Sequence, residues 1–477
     1  MKKLIFLITL FFFKNVIAQD LNSSNSILLE NATIISPENE STFIGYILIE
    51  KSYIKKVSKI KPQISKETIT INLDEKYIIP GLIDNHVHVS GVNGFTDKDI
   101  IDNPEIVKAF KEQLPKSYLY YGYTTLIDLS TPSMKALDDF NKSLIKPDLY
   151  HVGSGAVIGK GYGITNWNDS IPNFISTNNY NKDHTVKAVV SRIKKSGAIG
   201  VKTYYEPGFN PNVEKMPVPS PQIMKELYKE SYSKDLLLLV HANSIESHGF
   251  IAKYKLDVMA HGLWRWGNLT LSEDNKIPKE VADILDLEIK NKIAYTPTLQ
   301  VINGLKAMAQ TSYLENPELK NVLPSSILNW YKSNKDKMYT EVFGDAPKNV
   351  ILKSFNRINN QGKAALEYMS SNEGTIVFGT DTPSSLTYGN PPGYNGYLEM
   401  KTMYEAGITL NDILKSATLN NAKTFKLNKK YGTIETGKIA SLVVLNQDPL
   451  KNIEAYNSIE YVIVKGIVIK REQLKAN

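Results

Sequence analysis

The sequence predicts an α/β protein: a (β/α)8 (TIM) barrel with a small β-sandwich domain built from both chain ends. Three observations lead to this fold class. The chain has 477 residues, of which 42% are hydrophobic, so it can bury a large core. Strand-like runs fill both ends, and between residues 80 and 425 eight short apolar runs alternate with helical patterns. This alternation is typical of β/α units around a parallel sheet, and eight units favour a barrel.

Residues 1–18 have the pattern of a secretory signal peptide. Lys2 and Lys3 precede an apolar run of ten residues, Leu4 to Phe13, and Ala18 offers a small residue for cleavage. The run is too short to span a bilayer, which needs about 20 apolar residues. A buried N-terminal strand or helix is the structural alternative. The pattern predicts export to the periplasm or the medium, and we expect no membrane span later in the chain.

The β-sandwich domain is predicted from residues 19–79 and 426–477. Both segments contain short runs rich in β-branched residues with turn residues between them. The two β-rich ends enclose a middle segment in which apolar runs alternate with helical patterns. We therefore expect the two ends to meet in one small domain. The chain has no cysteine, so no disulfide can stabilise that domain and its core must do so. The predicted strands are 26–29, 45–50, 53–57, 68–73, 441–445, 459–464 and 465–469.

The barrel is predicted from residue 80 to residue 425. Helical patterns lie between several of its strands, for example at 184–196 and 220–233. The segment 300–372 is longer than a normal connection and has helical character, so it predicts an insertion before the eighth strand, serving as a lid or an interface. The eight predicted strands are 81–89, 124–129, 150–157, 199–204, 236–241, 258–261, 293–299 and 375–381.

The charge distribution gives little support for nucleic-acid binding. The chain carries 56 Lys and Arg against 49 Asp and Glu, a formal net charge of +7. The two signs are mixed along the sequence rather than segregated, and the pattern of a nucleic-acid-binding module does not appear. We therefore predict a small-molecule substrate as the partner, and the sequence leaves a homo-oligomer open.

The first candidate site is a His-x-His motif at the end of the first barrel strand. Side chains alternate along a strand, so His86 and His88 face the same way, into the mouth of the barrel. Two neutral imidazoles from one strand can bind one divalent ion. Asp84 lies on the same face and could orient a ligand. An isolated His-x-His also occurs in structural positions, so by itself the motif leaves both interpretations open.

Three more polar residues close buried strand runs. His241 follows four aliphatic residues, His261 follows the run that starts at residue 258, and Asp381 closes the eighth run. A buried carboxylate is costly unless it is paired or bound to a cation. Barrel enzymes carry their chemistry at the carboxyl ends of strands, so these residues are candidate metal ligands. Core histidines and a helix N-cap aspartate are the structural alternatives.

Lys202 lies inside the predicted fourth strand. A buried ammonium is costly and nearby divalent cations would repel it. Reaction with carbon dioxide would convert the amine to an anionic carbamate with two oxygens that can bridge two metals. Charge balance therefore favours a carboxylated Lys202 between two divalent ions. Zinc is the leading prediction for this ligand set, and manganese and iron stay open.

Taken together, these motifs resemble those of the amidohydrolase superfamily. Their order is His-x-His, Lys, His, His and Asp on strands one, four, five, six and eight. Within the superfamily the chain is similar to the imidazolonepropionase-related and metal-dependent prolidase-like groups, in which a strand-four lysine is carboxylated and bridges two metals. Further segments that carry the resemblance are 80–88, 379–381, 417–422 and 432–445.

The resemblance implies a role for each candidate residue. His86, His88 and Asp381 would bind the more buried metal, and the carboxylated lysine would bridge it to the second. His241 and His261 would bind that second metal. Asp381 would also be the catalytic residue that takes a proton from the attacking metal-bound hydroxide and passes it to the leaving nitrogen.

Four residues near these ligands are predicted to contact the substrate: Tyr204, Tyr205, Asn243 and Tyr388. Ring deaminases of the superfamily usually carry a glutamate three residues after the strand-five histidine, where this chain has Ser244. This difference favours hydrolysis of a carbon–nitrogen bond in a cyclic amide, an N-acyl amino acid or a dipeptide-like substrate.

Two alternative functions stay open. The same metal site could act on an ester, a lactone or a phosphotriester, because the same hydroxide would attack a carbonyl carbon or a phosphorus atom. A noncatalytic metal-binding barrel protein is the alternative from another class. Loss of a metal ligand or of the proton-transferring aspartate would favour it, and the sequence retains all of these residues.

Overall fold

The structure is a computed structural model, and it describes residues 26–38, 41–131, 134–162, 174–176, 182–209, 213–272, 276–384 and 386–477. The predicted signal peptide lies outside the described residues. The strands are β1 (Ser26–Ser36), β2 (Ser41–Glu50), β3 (Tyr53–Ser58), β4 (Ile69–Asn72), β5 (Tyr77–Pro80), β6 (Leu82–Val87), β7 (Tyr123–Asp128), β8 (Asp148–His151), β9 (Val157–Ile158), β10 (Phe174–Ile175), β11 (Gly200–Tyr204), β12 (Leu237–His241), β13 (Val258–Met259), β14 (Ala294–Tyr295), β15 (Leu442–Leu445), β16 (Ile459–Val464) and β17 (Ile467–Lys470).

Helices connect the central strands and cover them. Several begin at a side-chain cap, as at Thr185 and Ser220, whose hydroxyls accept a backbone N–H of the first turn. The α-helices are α1 (Asp97–Asp102), α2 (Pro104–Tyr120), α3 (Met134–Asn141), α4 (Val186–Lys195), α5 (Pro221–Ser233), α6 (Ile245–Ile251), α7 (Lys279–Lys290), α8 (Gln300–Ala307), α9 (Leu319–Val322), α10 (Ser325–Phe343), α11 (Lys348–Ser371), α12 (Tyr394–Glu405), α13 (Leu410–Lys415) and α14 (Asn421–Thr424).

Strands from both ends of the chain form one eight-stranded sheet. Its order is β17-β16-β15-β5-β1-β2-β3, and β4 also pairs with β1. The two ends join where β5 runs antiparallel to β15, with Ile79 opposite Val443. Ile27, Ile47 and Leu442 belong to one buried cluster on this sheet. The second layer of a sandwich and the domain boundaries stay predictions.

Parallel pairing dominates the middle of the chain. One sheet has the order β6-β7-β8 and another the order β11-β12-β13-β14. The backbone N–H of Ile199 donates to the carbonyl of His151 at 2.9 Å, which connects the two sheets at one side. Parallel bridges at Ile376 and Thr382 place the segment 376–382 between β14 and β6 at the other. The fold is therefore mixed α/β, and closure into a single barrel stays a prediction.

The alternation of side chains in β12 explains how a polar site can follow a buried strand. Leu237 and Leu239 lie in one buried cluster with residues of β6 and β7. Leu238 and Val240 lie in a second cluster with residues of α4 and α5. Because the side-chain period is two, His241 continues the face of Leu237 and Leu239. Parallel strands also end on the same side, so residues that close them can meet.

Helices α8, α9, α10 and α11 occupy most of the segment 300–372. Leu319, Tyr331 and Leu366 of this segment are buried in the same cluster as Tyr118. Within the described residues, no helix is both long enough and apolar enough to cross a membrane. A role of this segment as a lid or an interface stays a prediction. The formation of a homo-oligomer and the export of the chain also stay predictions.

Candidate active site

The side chains that the sequence predicts as metal ligands lie together at the carboxyl ends of the central strands. All except the partly exposed His88 are less than one-tenth exposed. Each of these side chains lies within hydrogen-bonding distance of another member of the group, or has its ring centroid within 4.8 Å of another member's, and we call this group the cluster. Its members are His86, His88, Lys202, His241, His261 and Asp381.

Asp381 contacts the imidazole of His86 in β6 and that of His88, the residue that follows this strand. Its Oδ1 lies 2.8 Å from Nε2 of His88 and 3.1 Å from Nε2 of His86. His261 completes a possible metal-binding group, since one ligand atom from each of His86, His261 and Asp381 lies within 4.8 Å of the others. A divalent cation could therefore contact side chains from β6, from the residues after β13 and from the 376–382 segment at once.

The hydrogen bonds of the imidazoles of His86 and His88 favour a cation at this point. Nδ1 of His86 lies 3.0 Å from the carbonyl oxygen of Ala260, and Nδ1 of His88 lies 3.3 Å from that of Ser130. A carbonyl oxygen only accepts, so each Nδ1 carries the hydrogen and each Nε2 presents a lone pair when its ring is neutral. Burial, and then the charge of Lys202, lowers the pKa of His86 to about 3. Two lone pairs and a carboxylate oxygen then converge, and the group fits a divalent cation.

Lys202 reaches the same point from β11. Its side chain is 2% exposed, and Nζ lies 2.9 Å from Nε2 of His86. Burial lowers the pKa of Lys202 to about 8, although the charge of Asp381 opposes the shift. Near neutral pH, an amine with a lowered pKa is uncharged more often than the amine of an ordinary lysine. The uncharged amine is the nucleophilic form.

His241 and His261 form the other side of the cluster, with ring centroids 4.5 Å apart. Burial lowers the pKa of both rings. Nδ1 of His261 lies 3.0 Å from Oγ1 of Thr298, which leaves its Nε2 for a ligand. His241 is arranged differently, because its Nε2 lies 3.4 Å from Nδ2 of Asn243 and 3.9 Å from Oε2 of Glu206. The nitrogen of His241 that these contacts leave available is Nδ1.

Backbone hydrogen bonds fix Asp381 against β6. Its N–H donates to the carbonyl of His86 at 2.7 Å, and its φ of +54° lies in the left-handed region, where few residues other than glycine are found. The buried carboxylate of Asp84 accepts from the N–H of His86 and from both the N–H and the hydroxyl of Thr380. Burial raises the pKa of Asp84 to about 7, although these hydrogen bonds act to lower the pKa. Asp84 therefore ties the two ligand-bearing segments together.

The profile of the Amidohydrolase family matches residues 77–469 of the chain. The chain belongs to the amidohydrolase family. Membership confirms the resemblance seen in the motifs and identifies the chain as a hydrolase that acts on carbon–nitrogen bonds. Amidohydrolases usually bind divalent metals, in agreement with the His, His and Asp group described above.

Solved structures with a similar fold include several hydrolases. A Xaa-Pro dipeptidase with bound methionine is 18% identical, with 93% of this chain and 100% of that chain covered and a TM-score of 0.65. A prolidase complexed with N-methylphosphonate-L-proline is 18% identical, with 94% and 100% covered and a TM-score of 0.68. The A. niger ochratoxinase is 16% identical, with 94% and 96% covered and a TM-score of 0.65. Such low identities show a shared fold alone, and the comparison with curated proteins gives no match.

Two of the predicted substrate contacts lie beside the cluster of this amidohydrolase. The ring of Tyr204 is 5.5 Å from that of His241, centroid to centroid, and 5.1 Å from Nζ of Lys202. Asn243 is 1% exposed and contacts His241 through its amide. Both residues can therefore border a substrate that reaches the imidazoles.

The structure places the rings of the other two predicted contacts away from the cluster, and their contact with substrate stays a prediction. Tyr205 points to the helix side of β11, where its ring stacks 4.5 Å from that of Phe250. Tyr388 is 2% exposed and packs 6.0 Å from the ring of Tyr313 and 5.8 Å from that of Tyr331. Strand alternation explains Tyr205, since residues 202 and 204 face the site and residue 205 faces away.

The set of predicted site residues includes neither Glu206 nor Arg265. Glu206 continues the face of Lys202 and Tyr204 two residues further on, so its spacing could have revealed it. Its carboxylate is 1% exposed, and Oε2 lies 3.4 Å from Nη1 of Arg265. Tyr162 also borders this side, with its ring 5.0 Å from that of His241.

The hydroxyl of Thr298 provides a test of how His261 is held. We expect Thr298→Val to weaken metal binding about 10- to 100-fold, because groups that orient a ligand imidazole typically contribute that much affinity. Titration of the metal-free protein with Zn²⁺ against a chromophoric chelator would measure the change.

Thr296→Val is the matched control for this substitution. Thr296 lies two residues away and is also buried, but its hydroxyl has no hydrogen-bond partner among the described residues. It should keep wild-type metal affinity. Equal affinities of the two variants would contradict a role for Thr298 in orienting His261.

Proposed function

We propose that this chain is an exported, metal-dependent amidohydrolase that hydrolyses a carbon–nitrogen bond in a cyclic amide, an N-acyl amino acid or a dipeptide-like substrate. One observation carries the proposal: Oδ1 of Asp381 lies within 3.1 Å of the Nε2 atoms of both His86 and His88. We further propose that the central strands close into a (β/α)8 barrel beside a β-sandwich domain.

The proposed ligand set divides the cluster between two divalent ions, with zinc as the first choice and manganese or iron as alternatives. His86, His88 and Asp381 would hold one ion. His241 and His261 would hold the other, and the lysine of β11, carboxylated, would bridge the pair. When bound, such ions polarise a carbonyl and make water a stronger nucleophile.

We propose that Asp381 performs the proton transfers of the reaction. Its Oδ1 is within hydrogen-bonding distance of two imidazoles, and its backbone is fixed by the carbonyl of His86. A carboxylate held in this way can accept a proton from the attacking water and donate it to the leaving nitrogen, which otherwise departs as an unstable anion. His241 and its neighbour Asn243 border the space that the substrate would occupy.

The similar solved structures support the choice of substrate. Two of them are described as a Xaa-Pro dipeptidase and a prolidase, whose names indicate cleavage of dipeptides. Ochratoxinase and molinate hydrolase share the fold, so the same scaffold is found in hydrolases with other names. We therefore favour dipeptide-like and N-acyl substrates for this chain, with ions bound in the periplasm or the medium after export.

The test combines metal analysis with an activity screen. Residues 19–477 would be purified after growth with added zinc or manganese, and the metal content measured by mass spectrometry. The protein would then be tested on dipeptides, N-acyl amino acids, cyclic amides, lactones and phosphotriesters. We expect about two equivalents of metal and turnover of a carbon–nitrogen substrate. Less than one equivalent, or turnover restricted to lactones or phosphotriesters, would contradict the proposal.

A further inference from the structure

We infer that Arg265 anchors a carboxylate on the substrate, so that this amidohydrolase prefers substrates with a free carboxylate on the side of β11 and β12. This inference rests on the proposed function and specifies its substrate class. It follows from how Arg265 is held, from what surrounds it and from which of the local charges a ligand can reach.

The backbone of Arg265 is fixed at the end of β12. Its N–H donates to the carbonyl of Asn243 at 3.0 Å, and its own carbonyl accepts from the N–H of Ile245 at 2.9 Å. A parallel bridge joins it to Ser244 between these two bonds. The side chain therefore starts from a position set by the same strand that carries His241.

The guanidinium is held at one nitrogen and on one face. Nη1 lies 3.3 Å from Oδ1 of Asn243 and 3.4 Å from Oε2 of Glu206. The Cζ atom lies 4.9 Å from the centroid of the Phe209 ring, a cation–π distance. Both hydrogen bonds to described residues leave from Nη1, so the other edge of the guanidinium keeps its donors. A planar edge of this kind matches a carboxylate with two parallel hydrogen bonds.

Exposure decides which charge meets a ligand. The side chain of Arg265 is 31% exposed, whereas that of Glu206 is 1% exposed. Oε1 of Glu206 already accepts from the N–H of Gly208 at 2.9 Å. An incoming molecule therefore contacts the cation, and the hidden carboxylate fixes that cation in place. This arrangement favours an anionic group over an ammonium group on the substrate.

The choice of arginine at this position is also informative. The chain has four arginines among 56 basic residues, so lysine supplies most of its positive charge. An ammonium gives comparable charge but lacks the planar fork that binds both oxygens of a carboxylate. Glu206 lies 3.9 Å from Nε2 of His241, so the anchored end of the substrate would lie one side chain away from the imidazoles.

The test compares acids with their matched amides. Dipeptides and N-acetyl amino acids with small, aliphatic and aromatic side chains would each be paired with the C-terminal amide. We expect wild-type kcat/KM to favour the acids. Arg265→Met should lower kcat/KM for acids about 10- to 100-fold, mainly through KM, and leave the amides unchanged. Arg265→Lys keeps the charge without the fork and should recover part of the loss.

Arg357→Met is the control for a general effect of losing an arginine, since Arg357 is exposed on α11 far along the chain. It should keep the wild-type preference for acids. The inference is wrong if wild type treats acids and amides alike, if substrates with an ammonium group at that end are preferred, or if Arg265→Met and Arg265→Lys both keep the wild-type ratio.

A binding measurement separates this inference from the proposed function. Trp264 and Trp266 flank Arg265, so tryptophan fluorescence can report the binding of N-acetyl amino acids and their amides. The measurement would be made on the protein as purified and on the protein with added Zn²⁺. Tighter binding of acids that disappears in Arg265→Met supports the anchor even if no peptide is hydrolysed. Equal binding of acids and amides overturns it even if peptides are hydrolysed.

Discussion

Replacing Asp381 with asparagine is expected to lower kcat by about 10³-fold while most of the metal stays bound. Asparagine retains an oxygen at the position that lies 2.8 Å from Nε2 of His88, so a metal ligand survives. It cannot accept a proton from water and return it to the leaving nitrogen. The measurements are kcat on the best substrate of the screen and metal content by mass spectrometry.

The control for this prediction is Asp283→Asn, which removes a surface carboxylate paired with Lys279. This variant should keep wild-type kcat and metal content. Substantial turnover by Asp381→Asn would refute the proton-transfer role. Loss of nearly all metal from Asp381→Asn would instead show that the carboxylate acts mainly as a ligand, and this part of the prediction would be wrong.

Replacing Lys202 with methionine is expected to have the second large effect: turnover falls below detection and at least one equivalent of metal is lost. Methionine fills a similar volume but has no amine to form a carbamate. Nζ of Lys202 lies 2.9 Å from Nε2 of His86, so the group removed is in direct contact with a proposed ligand. Metal content and a carbamate signal in ¹³C NMR after exchange with labelled bicarbonate would be measured.

Lys111→Met is the matched control, because Lys111 is a partly buried amine whose pKa desolvation also lowers, to about 7. Its Nζ donates to the carbonyls of Val89 and Gly91 rather than facing the imidazoles. The carbamate signal should persist in this variant and vanish in Lys202→Met. A full complement of metal in Lys202→Met, or an unchanged carbamate signal, would contradict a bridging role.

Two simple periodicities explain why the residues predicted as metal ligands lie close together in the structure. Strand alternation places His86 and His88 on one face, and the run Leu237 to Val240 places His241 on the face of Leu237. Parallel strands end on one side, which brings residues from distant segments together. Neither argument requires knowledge of the connecting helices.

Aromatic residues near the site could not be assigned in the same way. Tyr204 and Tyr205 are chemically alike, and only the register of β11 separates the one that borders His241 from the one that packs on Phe250. Tyr388 lies in a loop with no periodicity, and its ring packs against Tyr313, which lies between α8 and α9, and against Tyr331 of α10. Large aromatic rings are stabilised by packing almost anywhere in a core, so their presence near a motif is weak evidence for substrate contact.

The predicted strand 150–157 shows a different limit. In the structure β8 ends at His151, and the chain turns before β9 through Gly153 and Gly155, whose φ values are +72° and +80°. Glycine permits positive φ but does not require it. The apolar residues around these glycines therefore looked like one continuous strand.

The choice of ring nitrogen was also beyond the sequence. Nδ1 of His86 is engaged by the carbonyl of Ala260, whereas Nε2 of His241 faces Asn243 and Glu206. Ala260 and Glu206 come from segments that are distant in the sequence, whereas Asn243 is two residues further along the chain. The group of Ala260 is a backbone oxygen that every residue possesses. A histidine in a sequence therefore indicates an imidazole without indicating which of its nitrogens will bind.

The contact between His88 and Asp381 joins residues that are 293 positions apart. On the ribosome, the first imidazoles emerge long before the carboxylate, because synthesis proceeds from the N-terminus. A partly made chain thus carries an incomplete set of the proposed metal ligands. The proposed metal site would therefore be complete only after residue 381 has been made, late in the synthesis of the chain.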